Sequence, residues 1–222
     1  MFKDRRDAGR QLAARLLRYK DTDPIVLALP RGGVPVGFEI AIALAVPLDV
    51  LIVRKLGAPG EPELGIGAVA DGPHPQYVLN ENVVREINVS EEYVKREMEA
   101  QLQEIRRRQR AYRGGRSPAR ITDRTAIVVD DGIATGGSIR VALRSARLQS
   151  PKRLVLAAPV APPETLATLA AEADDIVCLS QPPAFSAVGE FYLDFRQTTD
   201  EEVRELLERA RQGRTGSEEL SH

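Results

Sequence analysis

Cysteine occurs once in the 222 residues, at Cys178, histidine twice, and tryptophan not at all. A single thiol cannot form an internal disulfide framework or a cysteine-based zinc cluster. His74 lies between two prolines with no second histidine at metal-pair spacing. No apolar run approaches the ~20 residues of a membrane span. The N-terminal MFKDRRDAGR enters charge at once, with no hydrophobic signal segment behind it. Neither sign of charge dominates: 31 Lys and Arg face 32 Asp and Glu, a net charge of -1. No global field therefore favours nucleic acid or an anionic membrane. These absences lead to the expectation of a soluble, cytoplasmic protein with no membrane partner. What is present is globular, with 43% hydrophobic and 28% charged residues and no internal repeat. The length allows one generous domain that buries about 70% of its unfolded surface.

Apolar runs and helical segments alternate. Runs at 25–29, 48–53, 126–130, 154–158 and 176–179 are short and rich in β-branched residues, as in parallel strands covered on both faces. Helical segments at 34–45, 138–149 and 162–173 follow strands through turns containing Gly or Pro. This βαβ rhythm predicts an open, doubly wound α/β sheet with a five-stranded parallel core in three layers, α/β/α. Residues 55–125 are too many for one crossover. They read as a Gly/Pro-rich loop at 56–65, a hairpin at 66–79 supplying an antiparallel edge strand, and a long polar helix. Asn88 or Ser90 can cap that helix, with Glu91 and Glu92 in its first turn. Val94, Met98, Leu102, Ile105 and Tyr112 give it one narrow apolar stripe. Segments 8–19 and 200–212 are helical in pattern, and 213–222 is expected to be a disordered tail. A single domain over 1–212 is expected, with its core at about 24–180 and a lid and helical insertion at 56–125.

The strongest signal is the run Asp130-Asp131-Gly132-Ile133-Ala134-Thr135-Gly136-Gly137-Ser138, which leads from an apolar strand into a helix. Its glycines let a ligand approach the backbone, and successive N–H groups at a helix N-terminus form an anion-binding concavity. Thr135 and Ser138 add hydroxyl donors. Asp130 and Asp131 would repel a phosphate, but as acceptor-only groups they suit a ribose diol. One loop thus offers donors for phosphate and acceptors for sugar. The run is neither a P-loop, since no Lys follows the second glycine pair, nor a G-x-G-x-x-G dinucleotide turn. Glycine turns that merely make a corner are common, but a lone corner needs no paired acids.

At these residues the chain resembles the type I phosphoribosyltransferases, whose signature is an apolar strand, two acids and a Thr-Gly-Gly-Ser/Thr loop. The resemblance implies 5-phosphoribosyl 1-diphosphate as ligand. It also implies Mg²⁺ bound mainly through that ligand, with Asp130 or Asp131 as the protein's contact to the ion. Asp130 and Asp131 would face the ribose hydroxyls, while Gly132, Ile133, Ala134, Thr135, Gly136, Gly137 and Ser138 hold the 5′-phosphate. Pro30-Arg31-Gly32-Gly33 stands where the family has its diphosphate loop, often with a non-proline cis bond, here between Pro30 and Arg31. Arg31 and the N–H groups of Gly32 and Gly33 are suitable diphosphate donors. Arg54-Lys55, read as the end of the second strand, resembles the Arg-Lys pair and mobile lid of adenine phosphoribosyltransferases. If the loops after the first and third core strands share one ligand, those strands are neighbours and the order is 2-1-3-4-5.

In the family, a hood from the termini, here 1–20 and 181–212, holds the base. The stretch from Phe185 to Asp194 resembles a hood in which an aromatic ring stacks on a purine and a carboxylate follows. Asp71, after the lid strand, is a further acid near the base. Ala134 matches the adenine-type Asp-Asp-x-x-Ala-Thr-Gly-Gly, where enzymes for 6-oxopurines tend to carry Asp. The implied reaction, by a homodimer, transfers the phosphoribosyl group to a nitrogenous base and releases diphosphate. Arg31, Arg54, Asp130 and Asp131 are the expected catalytic residues, with Lys55 among the binding residues. The alternative is a ligand-sensing regulator of gene expression. No DNA-binding segment precedes the first core strand, so DNA is not expected, whereas the basic stretch 106–124 leaves RNA binding open.

Overall fold

The computed structural model describes residues 1–70 and 76–218. Five parallel strands form the central sheet: β1 (Pro24–Ala28), β2 (Leu48–Val50), β6 (Thr125–Val129), β7 (Arg153–Val160) and β8 (Asp175–Ser180). Their order is β2-β1-β6-β7-β8, which is the expected 2-1-3-4-5 when only these strands are counted. Alternate residues serve opposite faces. Ala126 and Val128 pack with Ile139, Leu143 and Leu166 of α5 (Gly137–Arg147) and α6 (Pro163–Leu169). Ile127 and Val129 pack with Leu12, Leu16, Val36 and Ile40 of α1 (Arg5–Leu16) and α2 (Gly33–Leu44). Burial on both faces is why these strands read as unbroken apolar runs.

Three expectations need correction. The run 48–53 is not one strand. β2 ends at Val50, and the chain turns away to begin β3 (Val53–Ala58), so Arg54 and Lys55 open a new strand instead of ending a core strand. The segment 56–65 is not an open loop. β3 and β4 (Glu61–Ala70) pair antiparallel around a tight turn at Pro59-Gly60, where Gly60 has φ 75°. That left-handed value suits glycine. Finally, the antiparallel strand is not an edge of the central sheet. β3, β4 and β5 (Gln76–Leu79) form their own sheet, order β3-β4-β5, because the break after Val50 frees the chain to leave the parallel layer.

This second sheet is covered by α4 (Glu91–Arg113), which follows a short α3 (Glu81–Glu86). Ser90 caps α4 by accepting from the Tyr93 N–H at 3.2 Å. The predicted stripe meets Leu56, Ile66 and Val69 through Val94, Ile105 and Tyr112, with Met98 and Leu102 half-buried beside them. A buried ion pair locks the end of α4 to β2. Arg113 Nε lies 2.9 Å from Asp49 Oδ1, and Nη2 donates to the Val50 carbonyl at 2.7 Å. The C-terminal α7 (Asp200–Glu218) joins the same core through Val203, Leu206 and Leu207. It runs past residue 212 into the expected tail, whose last four positions lie outside the described residues. α1 lies along α2 in the main layers rather than over the strand ends. A Cβ at Gly9 would come within 2.7 Å of the Val36 carbonyl, so the missing side chain sets how closely the two helices approach. Among the described residues, no helix is long and apolar enough to cross a membrane.

Candidate active site

Adjacency of β1 and β6 places two loops side by side at the carboxyl end of the sheet. The first, Leu29 to Gly33, is tied to β6 by the Leu29 N–H donating to the Val129 carbonyl at 2.8 Å, and its Pro30–Arg31 peptide is cis. Both glycines are required by space. A Cβ on Gly33 would lie 2.7 Å from the Val129 carbonyl oxygen, and one on Gly32 would lie 2.0 Å from Asp131 Oδ2. The second loop runs from Asp130 into α5. Asp130 Oδ1 accepts the Asp131 N–H at 2.9 Å. Ile133 donates its N–H to the Val160 carbonyl at 2.9 Å, and Thr165 Oγ1 donates to the Ala134 carbonyl at 2.8 Å. These anchors leave Thr135, Gly137 and Ser138 exposed at the start of α5. There the first helical N–H groups have no intrahelical acceptor. They line an open cleft of about 800 Å³ whose other wall includes Lys55 and Gly67 of the second sheet and Asn80 at the start of α3.

Asp131 is held from above. Its Oδ2 receives Arg5 Nε at 2.7 Å, and its carbonyl accepts the Tyr192 hydroxyl at 2.5 Å. Residues 2–3, just before Arg5, pair with 191–194, which carry Tyr192, by backbone hydrogen bonds. One site thus assembles an exposed helix N-terminus, a second glycine loop bearing Arg31, and two carboxylates between them. The family model for the phosphoribosyl transferase domain matches residues 2–196. The chain belongs to this family.

Two Mycobacterium tuberculosis relatives of this phosphoribosyl transferase domain, from strains CDC 1551 and H37Rv, each bear the name "Putative phosphoribosyl transferase". Each is 47% identical over 210 residues, covering 95% of this chain and 47% of its own length. The chain therefore spans about half the length of the curated relatives it matches. The crystal structure of TT1426 from Thermus thermophilus shares 44% identity and a TM-score of 0.79, over 93% of this chain and 97% of that one. AQ2163 from Aquifex aeolicus shares the fold at 14% identity and a TM-score of 0.50, over 91% and 84%.

Within the phosphoribosyl transferase domain, the predicted site residues divide. Asp130, Asp131, Arg31, Gly32, Gly33, Gly132, Ala134, Thr135, Gly136, Gly137 and Ser138 lie on the two adjoining loops. Gly136 has φ 76°, and a Cβ there would also come within 3.0 Å of Thr165 Cγ2. Ile133 does not face a ligand: its side chain is buried in the core and its N–H is engaged. Strand alternation separates Arg54 from Lys55. Lys55 lines the cleft, whereas Arg54 points to α4 and donates Nε to Gln101 Oε1 at 2.9 Å. Burial, and then repulsion from Arg108, lowers the Arg54 pKa from its usual value. Phe185 stacks on Phe191 with ring centres 5.4 Å apart. Asp194 is bound by Arg196 at 2.7 Å and lines a separate surface cleft beside Arg5 and Thr199. Asp71 lies outside the described residues.

Burial, followed by the neighbouring Asp131 charge, pushes the Asp130 carboxyl well above the ordinary carboxylate range. Burial and then the same charge raise the Tyr192 phenol, which keeps it a donor to the loop. Sequence reasoning missed Arg5, Tyr192 and Asp200. Asp200 Oδ1 stands 3.8 Å from Arg31 and accepts the Tyr112 hydroxyl at 2.6 Å, and burial followed by that bond raises the phenol to about 12. No motif surrounds Arg5 or Asp200, and Arg5 sits in a charged run that resembles a solvated face, whereas Tyr192 lies inside the 185–194 stretch read as a hood, where only Phe185 and Asp194 were singled out. The basic stretch 106–124 is largely engaged internally: Arg107 and Arg108 with Glu104, Arg113 with Asp49, Arg116 with Glu208, and Arg124 with Asp23.

Proposed function

We propose that this domain binds 5-phosphoribosyl 1-diphosphate and transfers its phosphoribosyl group to a ring nitrogen of a nitrogenous base. The observation that carries this reading is the contact between the two glycine loops, with the Asp131 carboxylate wedged against Gly32. A sugar with a phosphate on one carbon and a diphosphate on another spans such a pair of loops and meets carboxylates in between. The 5′-phosphate lies on the N–H groups of Gly137 and Ser138 and on their hydroxyl neighbours. Arg31 and the Gly32 N–H face the diphosphate, whereas the expected Gly33 donor is already engaged, its N–H donating to the Leu29 carbonyl at 3.0 Å, and Lys55 stands across the cleft. In the reaction a nitrogen–carbon bond forms at the anomeric carbon, the carbon–oxygen bond to diphosphate breaks, and the base nitrogen loses its proton. The protein contributes orientation and electrostatic stabilisation.

Among the described residues, no group of three or more His, Cys, Asp or Glu is placed to hold a metal ion. Asp131 Oδ2 is already committed to Arg5. The residues therefore suit a Mg²⁺ carried by the ligand's own oxygens and water, with a carboxylate oxygen of Asp130 or Asp131 as the protein contact. When bound, the ion neutralises charge on the leaving diphosphate. On family analogy the working form is a cytoplasmic homodimer, and sedimentation tests its stoichiometry.

Isothermal titration with 5-phosphoribosyl 1-diphosphate, with and without Mg²⁺, tests the reading. Saturable binding is expected, with thermal stabilisation of about 2.7 kcal/mol at a hundredfold excess over Kd. No heat and no stabilisation at millimolar ligand would overturn it. A screen of purines, pyrimidines and other nitrogen acceptors, read by diphosphate release, then identifies the base. Binding without release from any acceptor would favour the ligand-sensing alternative.

A further inference from the structure

We propose that Arg5 is a positioning residue of the phosphoribosyl site, holding the Asp131 carboxylate in the orientation that receives the sugar hydroxyls. The first turn of α1 then belongs to the sugar site itself instead of covering a base. This inference rests on the function proposed above.

Three separate contacts fix the Arg5 guanidinium. Nε lies 2.7 Å from Asp131 Oδ2, Nη1 donates to the Arg196 carbonyl at 2.7 Å, and the guanidinium carbon sits 3.9 Å from the centre of the Phe195 ring. Both side chains of the ion pair are nearly withdrawn from water, at 12% and 14% exposure. Charge-assisted bonds in such surroundings are short, directional and strong. The segment carrying Arg5 is fixed as well. Phe2 donates its N–H to the Phe191 carbonyl at 2.8 Å, and the Leu193 and Asp194 N–H groups return to Phe2 and Lys3 at 2.9 Å. Tyr192, in the same clip, holds the Asp131 carbonyl. Asp131 is therefore gripped at its backbone and at one carboxylate oxygen, and Oδ1 is the oxygen not engaged by Arg5.

Two physical reasons make this a sugar-positioning role. Asp131 stands between the loops assigned to the two phosphoryl groups, with Oδ2 against Gly32. A carboxylate there, next to Asp130, would repel an anionic ligand unless a cation compensated it. Arg5 supplies that cation without consuming both acceptor oxygens. It is also poorly disposed to serve the diphosphate directly, because two of its nitrogens and one face are already engaged.

The experiment is a double-mutant cycle in the full chain: Arg5→Gln, Asp131→Asn and the combination. Isothermal titration reads ribose 5-phosphate and inorganic diphosphate in turn, and urea unfolding reads stability. Arg5→Gln is expected to weaken ribose 5-phosphate about tenfold, as does Asp131→Asn. The combination should lose no more than Asp131→Asn alone, because Arg5 acts through that carboxylate. Diphosphate affinity should stay within about threefold. Losses that add would overturn the proposal. So would a main loss on diphosphate, which makes Arg5 a direct ligand, or a lower urea midpoint with sugar affinity intact. Should Arg5→Gln not fold, Arg5→Lys enters the same cycle. It keeps the charge but reaches only one of the two acceptors, and the same non-additivity is expected. A wild-type chain that binds neither ribose 5-phosphate nor 5-phosphoribosyl 1-diphosphate would overturn the underlying function, and this proposal with it. Normal sugar binding by Arg5→Gln would overturn this proposal alone.

Discussion

Gly32→Ala adds one methyl group where the structure has no room for it. Gly32 has φ -61° and ψ -34°, an ordinary right-handed conformation, so the backbone imposes no demand for glycine. The demand is spatial. The new Cβ would lie 2.0 Å from Asp131 Oδ2 and 2.5 Å from its Cγ, and ordinary contact begins at 3.4 Å, so one group must yield by about 1.4 Å. Asp131 cannot retreat freely, since Arg5 holds the same oxygen at 2.7 Å and Tyr192 holds the backbone. Breaking the nearly buried Arg5–Asp131 pair costs about 3–5 kcal/mol. Shifting the loop to relieve overpacking costs about 1–3 kcal/mol, so the loop is expected to move and the pair to survive. Urea unfolding should therefore show a loss of about 1–3 kcal/mol. Titration with 5-phosphoribosyl 1-diphosphate should show a larger effect, about a hundredfold, because loop displacement misplaces both the diphosphate donors and the sugar acceptors. If Gly32→Ala retains both stability and affinity, the loops do not meet as described and the site's geometry is wrong.

Gly137→Ala provides the opposite case: its Cβ meets nothing within 4 Å. Urea unfolding should show a gain of about 0.4–1 kcal/mol, while titration shows weaker phosphate binding because the methyl group occupies the ligand's approach. Asp130→Asn should raise the urea midpoint at neutral pH and impair ligand binding, since a desolvated carboxyl beside Asp131 disfavours its charged form in the folded state. Arg113→Ala leaves Asp49 buried without its cation. Thermal and urea unfolding should show about 3–5 kcal/mol of destabilisation, and retained ligand affinity in the folded fraction is expected. Hydrogen bonds from Arg107 and then Arg108 depress Glu104 to about 2. The stability this supplies is full above the unfolded carboxyl value and disappears as pH falls toward 2. For this partly exposed cluster, Glu104→Gln should cost less than about 1 kcal/mol at pH 6, and a pH series of unfolding curves should converge with wild type near pH 2.

The loops at 30–33 and 130–138 were legible because each is contiguous, and their chemistry depends on residue type and immediate order. The neighbouring of β1 and β6 followed from requiring both loops to serve one ligand. The second sheet was not legible for a specific reason. Leu48 to Val53 is apolar at all but one position, and nothing in the run marks the departure after Val50. The glycines that suggested an open lid have sheet roles instead. The β3–β4 register shifts at Gly57, and a Cβ at Gly65 would come within 2.6 Å of Lys55 Cε on the paired strand. Arg54 and Lys55 read as one Arg-Lys pair serving the ligand together, but a strand sends them to opposite faces. Arg5 and Asp200 gain their meaning only from partners far away in sequence, and periodicity does not reach that far.

The clip joining residues 2–5 to 191–196 also has a consequence in time. Arg5 lies 126 positions from Asp131 and 191 from the Arg196 carbonyl that it also binds. Contacts of that span close late, since the chain between them must first be ordered. At about 5–20 residues per second, roughly 10–40 s of synthesis separate the appearance of Arg5 from that of residue 196. The two glycine loops can form as soon as β1 and β6 pair, but Asp131 is not clamped until the last of these segments arrives. In refolding, helical and sheet signals should therefore recover before sugar-phosphate binding does, and a nascent chain stopped short of residue 191 should carry both loops without a competent sugar site.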